Sequence, residues 1–314
     1  MGNRSDNATY ENVRHEMNLD RPMWQRYLFY VNDLLPISIN NKGKVEQQKY
    51  NYLELFPVSS NKCAVFKWPY LGRSYRTKRE VATVLGDALP GTAILALTAM
   101  LFATFFGILL GVIAALKKDT WLDTSAIAAS VAGISMPSFF AGLIVVFVFG
   151  YLLHSYTGLN MTGSLWEYDP FTGKHLVLKN LILPAFALGI RPLAIITQLT
   201  RSSLLDVFSQ DYIRTAYAKG LSRARIIFRH ALPNALNPVI TAISGWLAEL
   251  LAGSFFIEYI VGWKGVGRVT VDALDKFDFP LVMGSVLLTA SIFIIVSLLT
   301  DVLYGWLDPR VRLH

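Results

Sequence analysis

Long apolar runs, separated by short charged breaks, fill the chain from about residue 90 onward. A helix needs about 20 mostly apolar residues to cross a bilayer, and several stretches reach that length. They lie at about 90–116, 124–153, 179–200, 236–260 and 281–305. These stretches lack the polar face of a helix on the surface of a soluble protein. The pattern predicts an all-α membrane protein in which a bundle of helices satisfies its own backbone hydrogen bonds.

The first 85 residues have a different pattern, because no long apolar run interrupts their polar and charged sequence. Residues 19–35 carry apolar residues at helical spacing after Pro22, which predicts a short amphipathic helix. Its apolar side consists of Trp24, Leu28, Val31 and Leu35. Residues 36–52 are polar and rich in turn-forming residues, which favours a loop. We therefore expect residues 1–85 to form a small extramembrane segment of one amphipathic helix and loops.

Basic residues in the short breaks predict the orientation, because cytoplasmic loops are enriched in Lys and Arg. Lys117 and Lys118 follow the first span, a basic segment follows the third, and the basic tail follows the fifth. These three ends would lie in the cytoplasm, with residues 309–314 as a cytoplasmic tail. Residues 1–85 would then lie outside.

A difficulty arises from the number of spans, because five spans and a cytoplasmic tail place residues 1–85 outside. Their sequence has no apolar leader that would carry them across a membrane. Either a first membrane helix is missing, through truncation or choice of start site, or a further span is supplied in another way. We favour the missing helix.

Composition agrees with a membrane location. Apolar residues make up 53% of the chain and charged residues 16%, against about 25% charged residues in an average soluble domain. The net charge of +7 would suit nucleic acid, but the basic residues lie between apolar runs rather than on one face with stacking aromatics. We therefore expect membrane lipid, and not nucleic acid, as a partner. Cys63 is the only cysteine, which excludes an internal disulfide and a thiolate metal cluster.

The break between the third and fourth apolar runs, at about 201–235, contains the sequence DYIRTAYAKGLSRARIIFRHALPN at 211–234. Five of its residues are Lys or Arg, and Asp211 is the only acidic one. The segment has high helix propensity. Gly220 can turn the chain without a Cβ penalty, and Pro233 is expected to end one helix and begin another. Such a helix pair can lie across the membrane surface and bind a partner, whereas the alternative is an ordinary basic loop without one.

The spacing of Ala216, Gly220 and Leu232-Pro233 resembles the EAA loop of ABC importer permeases. That loop has Ala-Ala, three residues, Gly, nine residues, a hydrophobic residue, any residue and Leu-Pro. The departures from it are Arg214 at the acidic position, Thr215 at the first Ala and His230 at the hydrophobic position. This variant is similar to the one found in peptide permeases.

Most of the chain resembles the oligopeptide and dipeptide permeases of the binding-protein-dependent, type I importer family. The similar stretches are 16–31, 71–95, 133–147, 199–222, 261–288 and 298–313, and residues 36–66 are the main departure. The resemblance implies a polytopic helical bundle of the type I ABC importer permease kind, with a small extracytoplasmic N-terminal segment. It also implies one more helix at the start, in agreement with the argument from the number of spans, and a location in a bacterial-type inner membrane.

The resemblance further implies a function and partners. The chain would form half of a translocation pathway for short peptides, beside a second homologous permease subunit. Two ATP-binding subunits would lie beneath it, and an extracytoplasmic solute-binding protein would deliver substrate. The chain contains no GxxxxGK(S/T) sequence. ATP and Mg²⁺ would therefore be bound by partner subunits, and we expect this chain to be no enzyme and to hold no catalytic residue, cofactor or metal.

Coupling to the ATPase subunits is the role that the resemblance implies for the 211–234 loop. The residues implied are Arg214, Thr215, Ala216, Lys219, Gly220, Leu221, Leu232 and Pro233. The basic ones among them can meet lipid phosphates or acidic residues of a partner.

Other functions remain possible for a bundle of this size. The same type of permease transports nickel chelates, glutathione or another small solute in related systems. An ion-coupled secondary transporter is a second alternative, although the chain shows no inverted repeat of matched broken helices. A membrane-bound enzyme or assembly factor is a third, although its His residues are scattered and its spans lack clustered carboxylates.

Two charged residues stand out within the apolar runs, Arg191 midway along the third and Glu249 midway along the fourth. A charge at this depth costs at least about 2.5 kcal/mol, so it is usually paired or functional. The two residues either form an ion pair or line a translocation pathway and meet the charged termini of a peptide. Glu258 is expected at the membrane interface, near Arg268. Pro137 and Pro192 are expected to kink their helices.

Overall fold

The computed structural model describes residues 20–41, 52–59, 61–171 and 173–307. The chain divides into two units, one of residues 1–74 and 78–82 and the other of residues 75–77 and 83–314. The predicted cytoplasmic tail 309–314 lies outside the described residues, as does most of the second half of the predicted loop 36–52.

A helix and a small sheet form the first unit. Helix α1 spans Met23–Leu34 and begins directly after Pro22, within the stretch predicted to form an amphipathic helix. The three-stranded antiparallel sheet has the order β1-β3-β2. Its strands are β1 Ile37–Asn41, β2 Tyr52–Ser59 and β3 Lys62–Lys67. The side-chain amide of Asn32 on α1 donates a 3.0 Å hydrogen bond to the side-chain oxygen of Asn40 on β1.

Strand β1 contradicts the loop predicted for residues 36–52. The stretch alternates with the period of two that a strand requires, but its polar residues point inward. Ser38 and Asn40 are each 4% exposed, whereas Ile37 is 60% and Ile39 is 53% exposed. A search for apolar residues on the buried face therefore misses this strand.

Helices make up most of the second unit, and the first two residues of α2 belong to the first. The helices are α2 Val81–Leu116, α3 Trp121–Ser135, α4 Ser138–Leu152, α5 His154–Thr157, α6 Ile182–Phe208, α7 Asp211–Ala218, α8 Arg223–Ala235, α9 Asn237–Ala252, α10 Phe255–Ile260, α11 Val266–Asp275 and α12 Phe279–Leu307. A 3₁₀ turn, Leu178–Leu181, leads into α6. A short hairpin of β4 Trp166–Asp169 and β5 Gly173–Leu176 precedes that turn.

Three of the described helices are long and apolar enough to cross a membrane, namely α2, α6 with its 3₁₀ turn, and α12. Two bent pairs, α3 with α4 and α8 with α9, bring the number of possible spans to five. The predicted all-α membrane fold is confirmed. The helix ends differ from the predicted ones, since α2 begins at Val81 rather than near 90 and α6 continues to Phe208 rather than ending near 200.

The second predicted span is broken, and not merely kinked, at Pro137. Helices α3 and α4 meet at 112°, and Met136 and Pro137 both have a ψ of 134°. The proline ring disfavours a helical conformation of the preceding Met136. Pro192 does not break its helix, because α6 continues through it.

The fourth predicted span, 236–260, is also divided. Helix α9 ends at Ala252, and Gly253 follows with a φ of +136°, which residues with a side chain rarely adopt. The chain then forms the separate helix α10. Because the apolar composition continues across Gly253, hydropathy alone does not locate this break.

Glycines let α2 approach α6 closely. A Cβ at Gly107 would lie 2.8 Å from a methyl carbon of Ile196, and one at Gly111 would lie 2.6 Å from Cβ of Thr200. Ile196 and Thr200 are both 0% exposed. The absence of side chains at these glycines therefore sets the distance between the two helices.

The loop after α10 packs against the first turns of α2. Trp263 is 0% exposed, and its indole N–H donates a 2.9 Å hydrogen bond to the carbonyl of Gly91. Gly91 has no room for a side chain, because the backbone carbonyl of Lys264 occupies the position of a Cβ. Gly86 lies on the same helix but has nothing within 4 Å of its Cβ position.

Replacing these two helical glycines by Ala should have opposite effects on stability. Gly91→Ala should lower the free energy of unfolding by about 1–3 kcal/mol, because the added methyl forces the loop away from α2. Gly86→Ala should be neutral or raise it by about 0.5–1 kcal/mol, because Ala favours the helix. Thermal unfolding of the purified variants in detergent measures both changes. Equal stability of the two variants would contradict the close packing at Gly91.

Candidate functional site

A turn at Gly220 joins α7 to α8, and we call residues 209–235 the elbow. Gly220 has a φ of +75°. Its N–H donates to the carbonyl of Tyr217 at 2.9 Å, and the N–H of Leu221 donates to the carbonyl of Ala216 at 3.3 Å. These two bonds form the Schellman motif, which ends a helix with a glycine in the left-handed conformation. The motif explains the spacing of Ala216, Gly220 and Leu221.

One side of the elbow packs on the ends of two spanning helices. Ile213 of α7 and Ile226 of α8 are 1% and 0% exposed. They join a cluster of buried residues with the last turns of α2 and α6. The other buried members of the cluster are Ala115, Leu204, Ala216, Ala231 and Ala235. Burial of a side chain of this size contributes about 1.5–3 kcal/mol, so the cluster holds the elbow firmly to α2 and α6.

The opposite side of the elbow is exposed and basic. Its exposed cations are Arg214, Lys219, Arg223, Arg225 and Arg229. Its exposed aromatic residues are Tyr212, Tyr217 and Phe228. The Arg214 side chain is 76% exposed and pairs with Asp211 at 3.4 Å, a contact of little strength at such exposure. This face is therefore available to a partner.

The predicted coupling residues are divided between the two sides of the elbow. Arg214, Thr215, Lys219, Gly220 and Pro233 are exposed. Ala216 is buried, and Leu221 and Leu232 are partly buried against the same cluster. The first group can contact another subunit, and the second group holds the elbow in place.

Pro233 marks the predicted change from one helix to another, since a π-helical stretch ends at Ala231 and an α-helical turn, Leu232–Ala235, has Pro233 near its start, but the helical backbone is not interrupted. Helix α8 continues through it to Ala235, and the bend of 52° comes after that, between α8 and α9. Residues Ile226–Ala231, directly before Pro233, form a π-helical stretch. The wider π turn relieves the clash between a proline ring and the carbonyl four residues earlier. The predicted loop 201–235 starts too early, because its first residues are the last turns of α6.

A buried ion pair next to the elbow was not predicted. The guanidinium of Arg201 on α6 makes two hydrogen bonds to the carboxylate of Asp123 on α3, and the one from Nη2 to Oδ2 is 2.7 Å long. The backbone N–H of Asp119 donates to the same carboxylate at 3.0 Å. The Asp123 side chain is 4% and the Arg201 side chain 21% exposed. The only signal in the sequence is a lone Asp123 at the start of an apolar run.

Glu258 is buried, and it lies near Arg268 as predicted, although it contacts the backbone of Arg268 and not its side chain. It is 0% exposed. Its carboxylate accepts hydrogen bonds from the hydroxyl of Thr92 at 2.8 Å, the hydroxyl of Ser254 at 3.1 Å and the backbone N–H of Arg268 at 3.2 Å. The Arg268 guanidinium donates instead to the carbonyl of Gly262. The carboxylate thus fixes the loop after α10 to α2.

Arg191 and Glu249, the charges midway along the third and fourth predicted spans, are both exposed in this chain. The guanidinium carbon of Arg191 lies 5.3 Å from the ring centroid of Trp246 on α9, a cation–π distance. Among the ion pairs of the described residues there is none between Arg191 and Glu249. The ion pair considered from the sequence is therefore not formed, and the pathway alternative stays a hypothesis.

The fold has a counterpart among solved structures. A subunit of the inward-facing MetNI methionine ABC transporter superimposes on 72% of this chain and 97% of its own length, with a TM-score of 0.57 at 14% sequence identity. The arrangement of the helices is thus that of the type I ABC importer permeases.

The sequence matches the family described as "Binding-protein-dependent transport system inner membrane component" over residues 107–313. The chain belongs to this family. The matched region begins within α2 and includes the elbow, so the permease carries the segment whose spacing resembles the EAA loop. It is an inner-membrane protein.

Curated relatives of the permease extend the similarity beyond that region. The dipeptide transport system permease protein DppB of Haemophilus influenzae is 44% identical over 77% of this chain and 76% of its own length. The di/tripeptide transport system permease protein DppB of Pseudomonas aeruginosa is 37% identical over 98% of this chain and 87% of its own length. The corresponding dipeptide permease of Escherichia coli K12 is 36% identical over 95% and 83%. These relatives are transport permease subunits.

Separate removal of the two charges of the buried pair should destabilise the permease unequally. Arg201→Leu leaves the nearly inaccessible Asp123 carboxylate unpaired and should cost on the order of 3–5 kcal/mol. Asp123→Leu should cost less, because the Arg201 guanidinium can still reach water. The double variant should recover much of the loss, since two apolar side chains replace the pair.

Thermal unfolding in detergent tests this order in a double-mutant cycle. The exposed pair of Arg214 and Asp211 provides the control, and its double Leu variant should unfold near the wild-type temperature. Additive losses at Asp123 and Arg201 would show that the two residues act independently.

Proposed function

We propose that the permease forms half of the translocation pathway of an ATP-driven importer of short peptides. The observation that carries the proposal is an elbow with one side packed on α2 and α6 and the other side exposed and basic. The names of the curated relatives, which describe dipeptide and di/tripeptide transport, support the peptide substrate. The family description supports delivery of substrate by a binding protein.

In the proposed assembly, the permease contacts four kinds of partner. A second homologous permease would complete the pathway, two ATP-binding subunits would lie against the elbows, an extracytoplasmic solute-binding protein would deliver the peptide, and lipid would surround the spans. ATP and Mg²⁺ would be held by the ATP-binding subunits. The elbow would then lie in the cytoplasm, with Lys117 and Lys118 on the same side.

Force would pass through the elbow as a rigid-body movement. Arg214, Thr215, Lys219 and Gly220 would contact the ATP-binding subunit, because they are exposed. Ala216, Leu221 and Leu232 would keep the position of the elbow, and the exposed Pro233 would belong to the contacting side. Since the cluster around Ile213 joins the elbow to α2 and α6, closure of the ATP-binding subunits would displace both helices together. Such displacement is the basis of alternating access.

Arg191 and Glu249 are proposed to lie on this chain's wall of the pathway. Both are exposed in the isolated chain although they belong to membrane-spanning helices. A charge facing hydrocarbon is unfavourable, which supports a position facing water, substrate or the second permease.

Purification and uptake test the proposed function. The permease, isolated in mild detergent from its own membranes, should bring a second permease and two ATP-binding chains with it. Uptake of radioactive dialanine should depend on ATP and persist when an uncoupler removes the proton gradient. Uptake abolished by the uncoupler at unchanged ATP, without ATP-binding chains in the purified complex, would indicate an ion-coupled transporter instead.

Charge reversal on the exposed side of the elbow tests its role in coupling. The double variant Arg214→Glu, Lys219→Glu should fold normally but lower dialanine uptake and the yield of co-purified ATP-binding chains by about tenfold or more, because it removes two cations and adds two anions at the contact. Lys117→Glu is the control, since Lys117 is basic and exposed but lies outside the elbow. Equal losses in both would show a general effect of charge on topology, and no loss in either would remove the elbow from the contact.

A further inference from the structure

Helix α9 carries an exposed polar stripe within the membrane region. Four of the five exposed residues of α9 recur at every fourth position and are polar or glycine, and the fifth is Pro238. The four are Asn237, Thr241, Gly245 and Glu249. Most exposed residues of α12 are apolar instead, among them Phe293, Ile294, Ile295, Leu298 and Val302, although Ser291 and Asp301 are exposed too. A stripe of this kind does not suit hydrocarbon, which solvates no polar group, so this side of α9 faces water, a ligand or the second permease.

The neighbouring helix α6 adds a cation to the same region. The Arg191 guanidinium lies over the Trp246 indole at 5.3 Å, which places Arg191 beside α9 at the depth of Trp246. Glu249 follows Trp246 by three residues, so the two lie on one side of α9, about 4.5 Å apart along its axis. A cation, an indole and a carboxylate thus follow one another in a short row.

Among the described residues, neither charged side chain of the row is paired with an opposite charge. Arg191 contacts an aromatic ring rather than a carboxylate, and Glu249 has no cation within 4 Å among the described residues. A guanidinium that lies over an indole still has N–H groups that can donate to a planar carboxylate. The Glu249 carboxylate offers acceptors only, which suits an ammonium group.

We propose that Arg191, Trp246 and Glu249 recognise the two charged termini of a short peptide during its passage through the permease. This inference rests on the proposed function and adds the groups that select the substrate. Arg191 binds the terminal carboxylate, Glu249 binds the terminal ammonium, and Trp246 lies against the backbone between them. Charge complementarity identifies the occupant, because a zwitterion presents one group of each sign. The second permease is the other possible occupant, and it would use the same charges for subunit pairing.

Substitutions that remove one charge each should separate recognition from pairing. In the complete transporter, Arg191→Gln and Glu249→Gln should each lower the maximal rate of dialanine uptake by about tenfold or more, while the second permease and the ATP-binding chains still co-purify. Glu249→Asp, which keeps the charge, should retain more uptake than Glu249→Gln. Binding protein should still stimulate ATP hydrolysis in all three variants, since the elbow is unchanged.

The other outcomes contradict the inference in distinguishable ways. Wild-type uptake rates in both Gln variants would overturn it and leave the proposed function intact. Loss of the second permease from either variant would show that the charges serve subunit pairing. Absence of dialanine uptake by the unaltered transporter would contradict the proposed function and this inference together.

Chemical labelling gives a second test that does not depend on transport rates. In a Cys63→Ala background, where the replaced thiol is 1% exposed, single cysteines are placed at Thr241, Glu249 and, as the control, at Leu298. Methanethiosulfonate ethylammonium, a charged thiol reagent, should modify the first two at least tenfold faster than the third. Equal labelling at the three positions would place the stripe against lipid and overturn the inference.

Discussion

Apolar contact between the elbow and the ends of α2 and α6 is the interaction on which the rest of the structure depends. A basic segment at a membrane surface would otherwise be an ordinary loop, free to move without moving the spans. Ile213, Leu204 and Ile226 are each 1% exposed or less, so their separation would expose a substantial apolar area to water. The Schellman turn at Gly220 fixes the angle between α7 and α8. Together they make the elbow one rigid body with two membrane helices.

Polar contacts attach further segments to α2 and α6 at both ends of the spans. Near the elbow, the pair of Arg201 and Asp123 attaches α3 to α6. At the far end of α2, the Glu258 carboxylate and the Trp263 indole attach the loop after α10 to Thr92 and Gly91. The exposed side of α9 lies outside these attachments and carries polar residues. Firm attachments at both ends and an uncovered polar side suit a subunit that moves as a unit against a second one.

The sequence predicts the features that arise from neighbouring residues. The presence of apolar helices and the turn at Gly220 depend on local composition and on backbone conformation, and both are present in the structure. The contacts that join distant residues have no such signal, since Asp123 and Arg201 are separated by 78 residues and Thr92 and Glu258 by 166. The prediction misses strand β1 for a different reason, because Ser38 and Asn40 are buried where apolar residues are the norm. The predicted helix ends are wrong because the apolar composition continues past Gly253, where α9 has ended, and because α6 continues beyond residue 200 through polar residues.

The interpretation of Arg191 and Glu249 depends both on the local sequence and on contacts between distant residues. Their apolar surroundings mark both residues as unusual from the sequence alone, but an ion pair and a pathway are equally consistent with that pattern. The structure excludes the ion pair among the described residues, because the Arg191 guanidinium lies over Trp246 and not beside a carboxylate. An internal ion pair would have neutralised both charges and left nothing to attract a zwitterion. Since the two charges stay apart in the described residues, each keeps its capacity to bind a group of opposite sign, which is the property that a passage for peptides with free termini requires.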